Sequence, residues 1–354
     1  MNARLVKLAL ALGTLALTTN CTTTTNSSQT QESQKVTQVS STQTIAATGD
    51  IRIDGSSTVY PITQAIAKAF NLEQNNKAKV AVNISGTSGG FEKFCAGQTD
   101  ISNASRPIFK AEMEACRKNG VRFIELPIAF DALTIVVHPQ NNWAKDITIA
   151  ELKKMWEPAA QEKITTWKQV RASWPNRPLK LFGAGNKSGT FDYFTEATVG
   201  KTRASRTDYT ASEDDEVLAN GVSKDPNALG YFGYAYYEEH QGKLKALAVN
   251  SGKGPVLPSR ETVEKANYQP LSRPLFIYVN PWGAKNKEAV YKFVNFYVDK
   301  APKVATSVGY VPLPAEAYRI DQVHLNTGKV GTVFGGEAQL DLTLAELLRK
   351  QKQF

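Results

Sequence analysis

Residues 80–107, VAVNISGTSGGFEKFCAGQTDISNASRP, decide the fold. Alternation of apolar and polar residues over 80–84 predicts a strand. That run ends in SGTSGG at 85–90, whose glycines let the backbone turn sharply into a helix expected to begin near Phe91. A tight turn, a second strand and then Ser105, Arg106 and Pro107 follow. A helix start leaves backbone N–H groups without intrahelical partners, and the helix dipole adds partial positive charge there. Hydroxyls of Thr87 and Ser88 add further donors, so this junction suits an anion.

The same plan recurs on both sides. Upstream, IRIDGSSTVYP at 51–61 gives a strand, a Gly/Ser/Thr turn and a helix over 62–70 with Ile62, Ala65, Ile66 and Ala69 on one face. Downstream, a strand over 179–182 runs into GAGNKSGT at 183–190 and a helix over 191–198. Helix capping alone explains one such turn. Three of them, with hydroxyls at the same strand–helix junction, argue for convergence on one ligand.

The remaining pattern alternates strands (121–126, 132–138, 229–234, 275–279) with helices (110–119, 149–156, 212–221, 287–299), which indicates an α/β fold. The runs at 132–138 and 275–279 are nearly continuously apolar, as in strands buried on both faces. They bracket a middle segment, so the chain is expected to cross from one lobe to another and return. Lobe I is expected to hold 49–137 plus 275–340, lobe II 138–274, and a C-terminal helix 341–354. Each lobe is a mixed sheet flanked by helices, and the two crossover strands form the hinge. A ligand would sit between the lobes, at the carboxyl ends of the strands.

The N-terminus reads as an export signal. Arg4 and Lys7 precede an apolar run at 8–17 that is too short to span a bilayer. Cys21 follows, and then a Ser/Thr/Gln tract at 22–48, the pattern of a bacterial lipoprotein signal and its tether, with signal peptide 1–21 and linker 22–48. Asn20 stands where a small residue usually precedes the lipidated cysteine, and ordinary cleavage is the alternative. Cys95 and Cys116 lie on successive expected helices, and in an oxidising envelope they are expected to pair. Neither cysteine has a nearby second ligand, and His138, His240 and His324 fit no local metal spacing. No metal or cofactor is expected. The net charge of +9 is spread along the 354 residues rather than clustered, which argues against a nucleic-acid stripe.

The chain resembles the PstS-type phosphate-binding proteins of ABC transporters, and within them the SphX-like branch. The matching motifs, in family order, are GSSTVYP at 55–61, GTSGG at 86–90, DISNASRP at 100–107, IAELKKMW at 149–156 with Thr166 and Trp167, KSGT at 187–190 and LGYFGY at 229–234. The resemblance implies a two-lobed type II periplasmic binding protein, monomeric, that delivers phosphate to an inner-membrane permease without catalysis. It implies contacts to the anion from Ser57, Thr58 and the N–H of Val59, from Thr87 and Ser88, and from Ser188, Gly189 and Thr190. Two positions depart from the best-known members. Arg106 stands where they carry an aspartate that takes the phosphate proton, and Ala184 where they often carry an arginine. Arg106 is therefore expected to supply the site's fixed positive charge as a bidentate donor, with Lys187 solvated.

Two other readings fit parts of the pattern. One is a binding protein for another oxyanion, sulfate or a phosphate ester. The other is a serine hydrolase, because GTSGG satisfies G-x-S-x-G between a strand and a helix, with Ser88 as nucleophile and Asp192 and His240 or His324 following in hydrolase order.

Overall fold

The computed structural model describes residues 49–74, 78–283 and 287–354. The signal segment, Cys21 and the tether at 22–48 lie outside the described residues. The first third of the fold alternates β1 (Gly49–Gly55), α1 (Tyr60–Glu73), β2 (Ala78–Val82), α2 (Gly86–Cys95), β3 (Ile101–Ala104), α3 (Lys110–Lys118) and β4 (Ile124–Val137). The middle holds β5 (Asp146–Thr148), α4 (Ile149–Trp156), α5 (Trp167–Val170), β6 (Lys180–Ala184), α6 (Gly189–Val199), β7 (Thr210–Ser212), α7 (Asp215–Val222) and β8 (Ala228–Gly233). Then come α8 (Tyr234–Glu239), β9 (Lys245–Ala246), β10 (Ala248–Asn250), β11 (Pro255–Val256), α9 (Arg260–Glu264) and β12 (Ser272–Val279). Three helices close the chain, α10 (Lys287–Ser307), α11 (Ala315–Thr327) and α12 (Leu344–Gln353).

One mixed sheet runs β2-β1-β3-β12-β4-β8-β6-β7, with β9 also on β4, and a small sheet holds β11-β10-β5. Its centre is β4, every residue of which is buried. Residues Ile124 to Ala132 pair antiparallel with β12, and Leu133 to Val137 pair antiparallel with β8. The sequence pattern divides this strand in two because Pro127 interrupts it. Proline lacks the ladder N–H and is confined to edges and bulges. Here the register shifts between Leu275 and Phe276, so Ala129 and Pro127 face successive residues of β12 and the strand continues through a bulge.

Three further boundaries differ from the sequence reading. Helix α2 begins at Gly86, not near Phe91, because Gly86 takes φ +75° and turns the chain within one residue. Thr87 and Ser88 therefore lie in the helix's first turn. The helix expected over 212–221 starts only at Asp215, after Thr210–Ser212 has paired parallel with β6. The helix expected to end at 299 continues through Pro302 to Ser307, and α11 has no counterpart in the pattern-based reading.

Cys95, the last residue of α2, is joined to buried Cys116 of α3. Cross-linking residues 21 apart removes loop entropy from the unfolded chain, about 3 kcal/mol in the chain-entropy model. The double variant Cys95→Ser/Cys116→Ser is expected to fold and to be less stable by about that amount in urea denaturation. Thiol titration of denatured, unreduced protein is expected to find neither cysteine free.

Candidate anion-binding site

The three hydroxyl-bearing turns meet, and most of their hydroxyls do not cap their own helices. Neither Val59, the N-cap of α1, nor Ser85, the N-cap of α2, makes a side-chain capping bond. Ser57 Oγ instead accepts the Asp215 N–H at 2.9 Å and lies 3.1 Å from the Tyr236 hydroxyl. Thr58 Oγ1 stands 3.2 Å from Thr190 Oγ1. Thr87 Oγ1 accepts the Ser105 N–H at 3.1 Å and lies 3.2 Å from Ser105 Oγ. Ser188 is the exception, capping α6 by accepting the Thr190 N–H at 3.1 Å.

Contact between the turns is close enough to fix residue size. The Ser88 N–H donates to the Lys187 carbonyl at 2.8 Å. A Cβ on Gly189 would fall 2.4 Å from Thr87 Oγ1 and 2.7 Å from Ser105 Oγ, so only glycine fits. Ser57, Thr58, Val59, Thr87, Ser88, Ser188, Gly189 and Thr190 are all buried here. Beside them a cleft of about 800 Å³ opens, walled in part by Ser88, Lys187, Phe191, Arg203 and Glu213. Lys187, expected to be solvated, is part-exposed and its Nζ pairs with Glu92.

Arg106 lies inside, and all five of its N–H groups are engaged. Its Nε donates to Asp192 Oδ2 at 2.7 Å and its Nη1 to the Pro107 carbonyl at 2.9 Å. Nη1 and Nη2 grip the two Glu112 oxygens at 2.8 and 2.7 Å, and Nη2 also reaches Ser88 Oγ at 2.9 Å. The guanidinium packs on the Phe109 ring, 3.7 Å from its centroid. Burial opposes its charge, but Glu112 and Asp192 outweigh this and raise its pKa. The bidentate fork is thus present, held on a carboxylate.

The expectation that Arg106 is the only fixed cation is corrected by two other arginines. Arg203 donates from Nε to Asp192 Oδ1 at 2.7 Å and from Nη2 to Ser88 Oγ at 2.9 Å. Its backbone sits at φ +66°, a conformation that costs energy for a side chain of this size. Nothing in the polar loop around it signals this, because only the folded loop sets that φ. Arg273 is fully buried in β12, directly across from Asp131 of β4. Its Nε and Nη2 bond Asp131 Oδ2 at 3.1 and 2.9 Å, and Nη2 also lies 3.2 Å from Thr58 Oγ1 and 3.0 Å from Thr190 Oγ1. Arg273 and Asp131 both lie just outside the apolar runs at 275–279 and 132–138, and only the β4–β12 pairing brings them opposite each other. Ala184, buried at the end of β6, brings no cation.

The nucleophile-elbow reading is not supported by the geometry at Ser88. Its hydroxyl oxygen accepts from two guanidinium groups, and Ser88 is not among the described residues with positive φ. His240 bonds the Tyr236 carbonyl and Glu216, and His324 packs edge-on to Phe354. Asp192 holds two arginines rather than a histidine.

A family model for the PBP superfamily domain matches residues 23–301. The chain belongs to the PBP superfamily. Within it, protein SphX of Synechocystis sp. is 57% identical over 304 residues, covering 86% of this chain and 90% of that protein. The phosphate-binding protein PstS of Staphylococcus saprophyticus is 34% identical over 296 residues, covering 83% of this chain and 88% of that one. A solved structure described as a possible phosphate binding protein from Planctomyces limnophilus matches with TM-score 0.58 and 42% identity, over 80% of this chain and 99% of that chain. The mixed α/β fold of this PBP-superfamily chain is therefore shared with its relatives. Among its described residues no helix is long and apolar enough to cross a membrane, and no group of three His, Cys, Asp or Glu is placed to hold a metal.

Asp215 gives the site a pH signature. Its carboxylate accepts the Gly233 N–H at 3.2 Å and the Thr58 hydroxyl at 3.4 Å. Burial pushes its pKa up to about 7, against the pull of the Gly233 N–H and of Arg273. The folded state therefore keeps this proton at pH values where the unfolded chain has lost it. Its contribution to stability falls as pH rises from about 4 to about 7, by at most about 1.4 kcal/mol per pH unit. Asp215→Asn is expected to flatten the stability–pH curve over that window relative to the wild type, measured by urea denaturation at each pH. An unchanged slope overturns the assignment.

Proposed function

We propose that this protein binds inorganic phosphate between Thr58 and Thr190 on one side and Thr87, Ser88 and Ser188 on the other, and delivers it to an ABC-type permease. One observation carries the reading: three strand–helix turns bring hydroxyls that do little capping into mutual contact, with buried guanidinium groups against them. The likeness to SphX and PstS supports it. Ser57, Thr58, the Val59 N–H, Thr87, Ser88, Ser188, Gly189 and Thr190 form the proposed shell, with Arg106 behind it holding Ser88 and no catalytic step. Helix-start N–H groups and hydroxyls would supply neutral donors, and the arginines the positive charge. Capture would proceed by closure of two lobes, 49–137 with 275–340 and 138–274, about β4 and β12. In this reading the protein works in the periplasm as a monomer, tethered through a lipid on Cys21.

Calorimetric titration with phosphate, sulfate and arsenate at two pH values tests the reading. Phosphate is expected to bind 1:1 with micromolar or tighter affinity, below about −8 kcal/mol. Tight binding of sulfate with none of phosphate overturns it. Arg106→Ala removes a charge-assisted donor to Ser88 and leaves Glu112 and Asp192 short of a partner. Phosphate affinity is then expected to fall at least about tenfold, and Arg106→Lys to recover only part of the loss. Mass spectrometry of the mature protein checks the anchor, for which a diacylglycerol mass on an N-terminal Cys21 is expected.

A further inference from the structure

Arg273 is unlike the other two arginines of the site. Arg106 has every donor engaged within the protein, and Arg203 is half exposed to water. Arg273 is completely buried, yet its Nη1 finds no hydrogen-bond partner among the described residues. Water cannot satisfy it as it would at a surface, and an unpaired donor on a buried charge is costly. The other arm of the fork, Nη2, already touches the hydroxyls of Thr58 and Thr190. Those two threonines come from different turns, the one before α1 and the one at the start of α6.

A purely structural role accounts for less of this. Strands β4 and β12 pair along the whole of β12 and need no ion pair to do so. Burying an ion pair for stability alone is a poor device, since apolar residues of similar volume often serve as well. Asp131 takes only Nε and Nη2, both on its Oδ2, while its Oδ1 accepts the Tyr234 N–H. Asp131 therefore orients the guanidinium and leaves one arm unused. The carboxyl facing Thr58 from the other side, Asp215, is held partly protonated near neutral pH by burial, so it does not add a full negative charge beside the anion.

Building on the phosphate reading above, we propose that Arg273 is a direct ligand of the bound phosphate. It donates from Nη1 and Nη2 to an oxygen seated against the hydroxyls of Thr58 and Thr190, with Asp131 as its positioning residue. The cation that Ala184 does not provide is thereby supplied from β12.

Phosphate titrations of wild type, Arg273→Lys and Arg273→Met/Asp131→Asn test this, each with a thermal melt to establish folding. The double variant removes both charges, so no lone buried ion remains. It is expected to melt cooperatively and to bind phosphate about 100-fold more weakly, with Arg273→Lys between it and wild type. Binding by the folded double variant within about threefold of wild type overturns the proposal and leaves the phosphate reading standing. Failure of wild type to bind phosphate overturns that reading and this one with it. Should the double variant not fold, a crystal structure of wild type with phosphate decides. An Arg273 nitrogen about 3 Å from a phosphate oxygen supports the proposal, and both Nη atoms beyond about 4 Å overturn it.

Discussion

A guanidinium taken out of water has to find a carboxylate and a hydrogen-bond acceptor for nearly every N–H, and this constraint organises the site. Arg106 meets it with Glu112 from α3, Asp192 from α6 and Ser88 from α2, so one side chain ties the neighbouring helices α2 and α3 to the distant α6. Asp192 in turn shares its second oxygen with Arg203. Arg273 meets most of it with Asp131 across the β4–β12 ladder and with the two threonines. Each hydroxyl turn is therefore fixed by a buried charge as well as by its own backbone.

The sheet brings those charges within reach. β4 is long enough to pair with β12 along its first part and with β8 along its last, so one strand belongs to both halves of the sheet. β1 and β3 run antiparallel to β12, and β8 with β6 antiparallel to the last part of β4, so the two sets run in opposite directions and point their C-terminal ends at the middle of β4. The turns after β1 and β6, and the start of α2 after β2, then approach closely. Gly86 and Gly189 permit this, because a Cβ at either would overlap atoms of the opposing turn. Hydroxyls that would cap a helix in isolation are redirected across the junction, as when Ser57 accepts the N–H of Asp215.

Charge burial also separates the candidate ligands by role. Ser88 sits under two guanidinium groups and can only accept from them, which suits anchoring and not nucleophilic attack. Arg273 reaches the hydroxyls of Thr58 and Thr190, and Thr58 also faces Asp215, a carboxyl of raised pKa. An anion placed against these hydroxyls meets donors from both chain segments.

The sequence by itself determined the α/β class, most element positions, the three strand–turn–helix junctions, the Cys95–Cys116 pairing and the family. These follow from local periodicity, from glycine and hydroxyl placement at turns, and from motif order, all of which are written in short windows. It did not determine that the strands around Pro127 are one, because a bulge depends on the partner strand. It missed Arg203, whose backbone conformation is set by the folded loop, and it missed Arg273, which reads as an ordinary residue at a strand's start. Only tertiary structure decided which carboxylate each arginine holds, and hence which N–H groups remain for a ligand. A buried charge is defined by what surrounds it, and its surroundings come from segments up to 215 residues away.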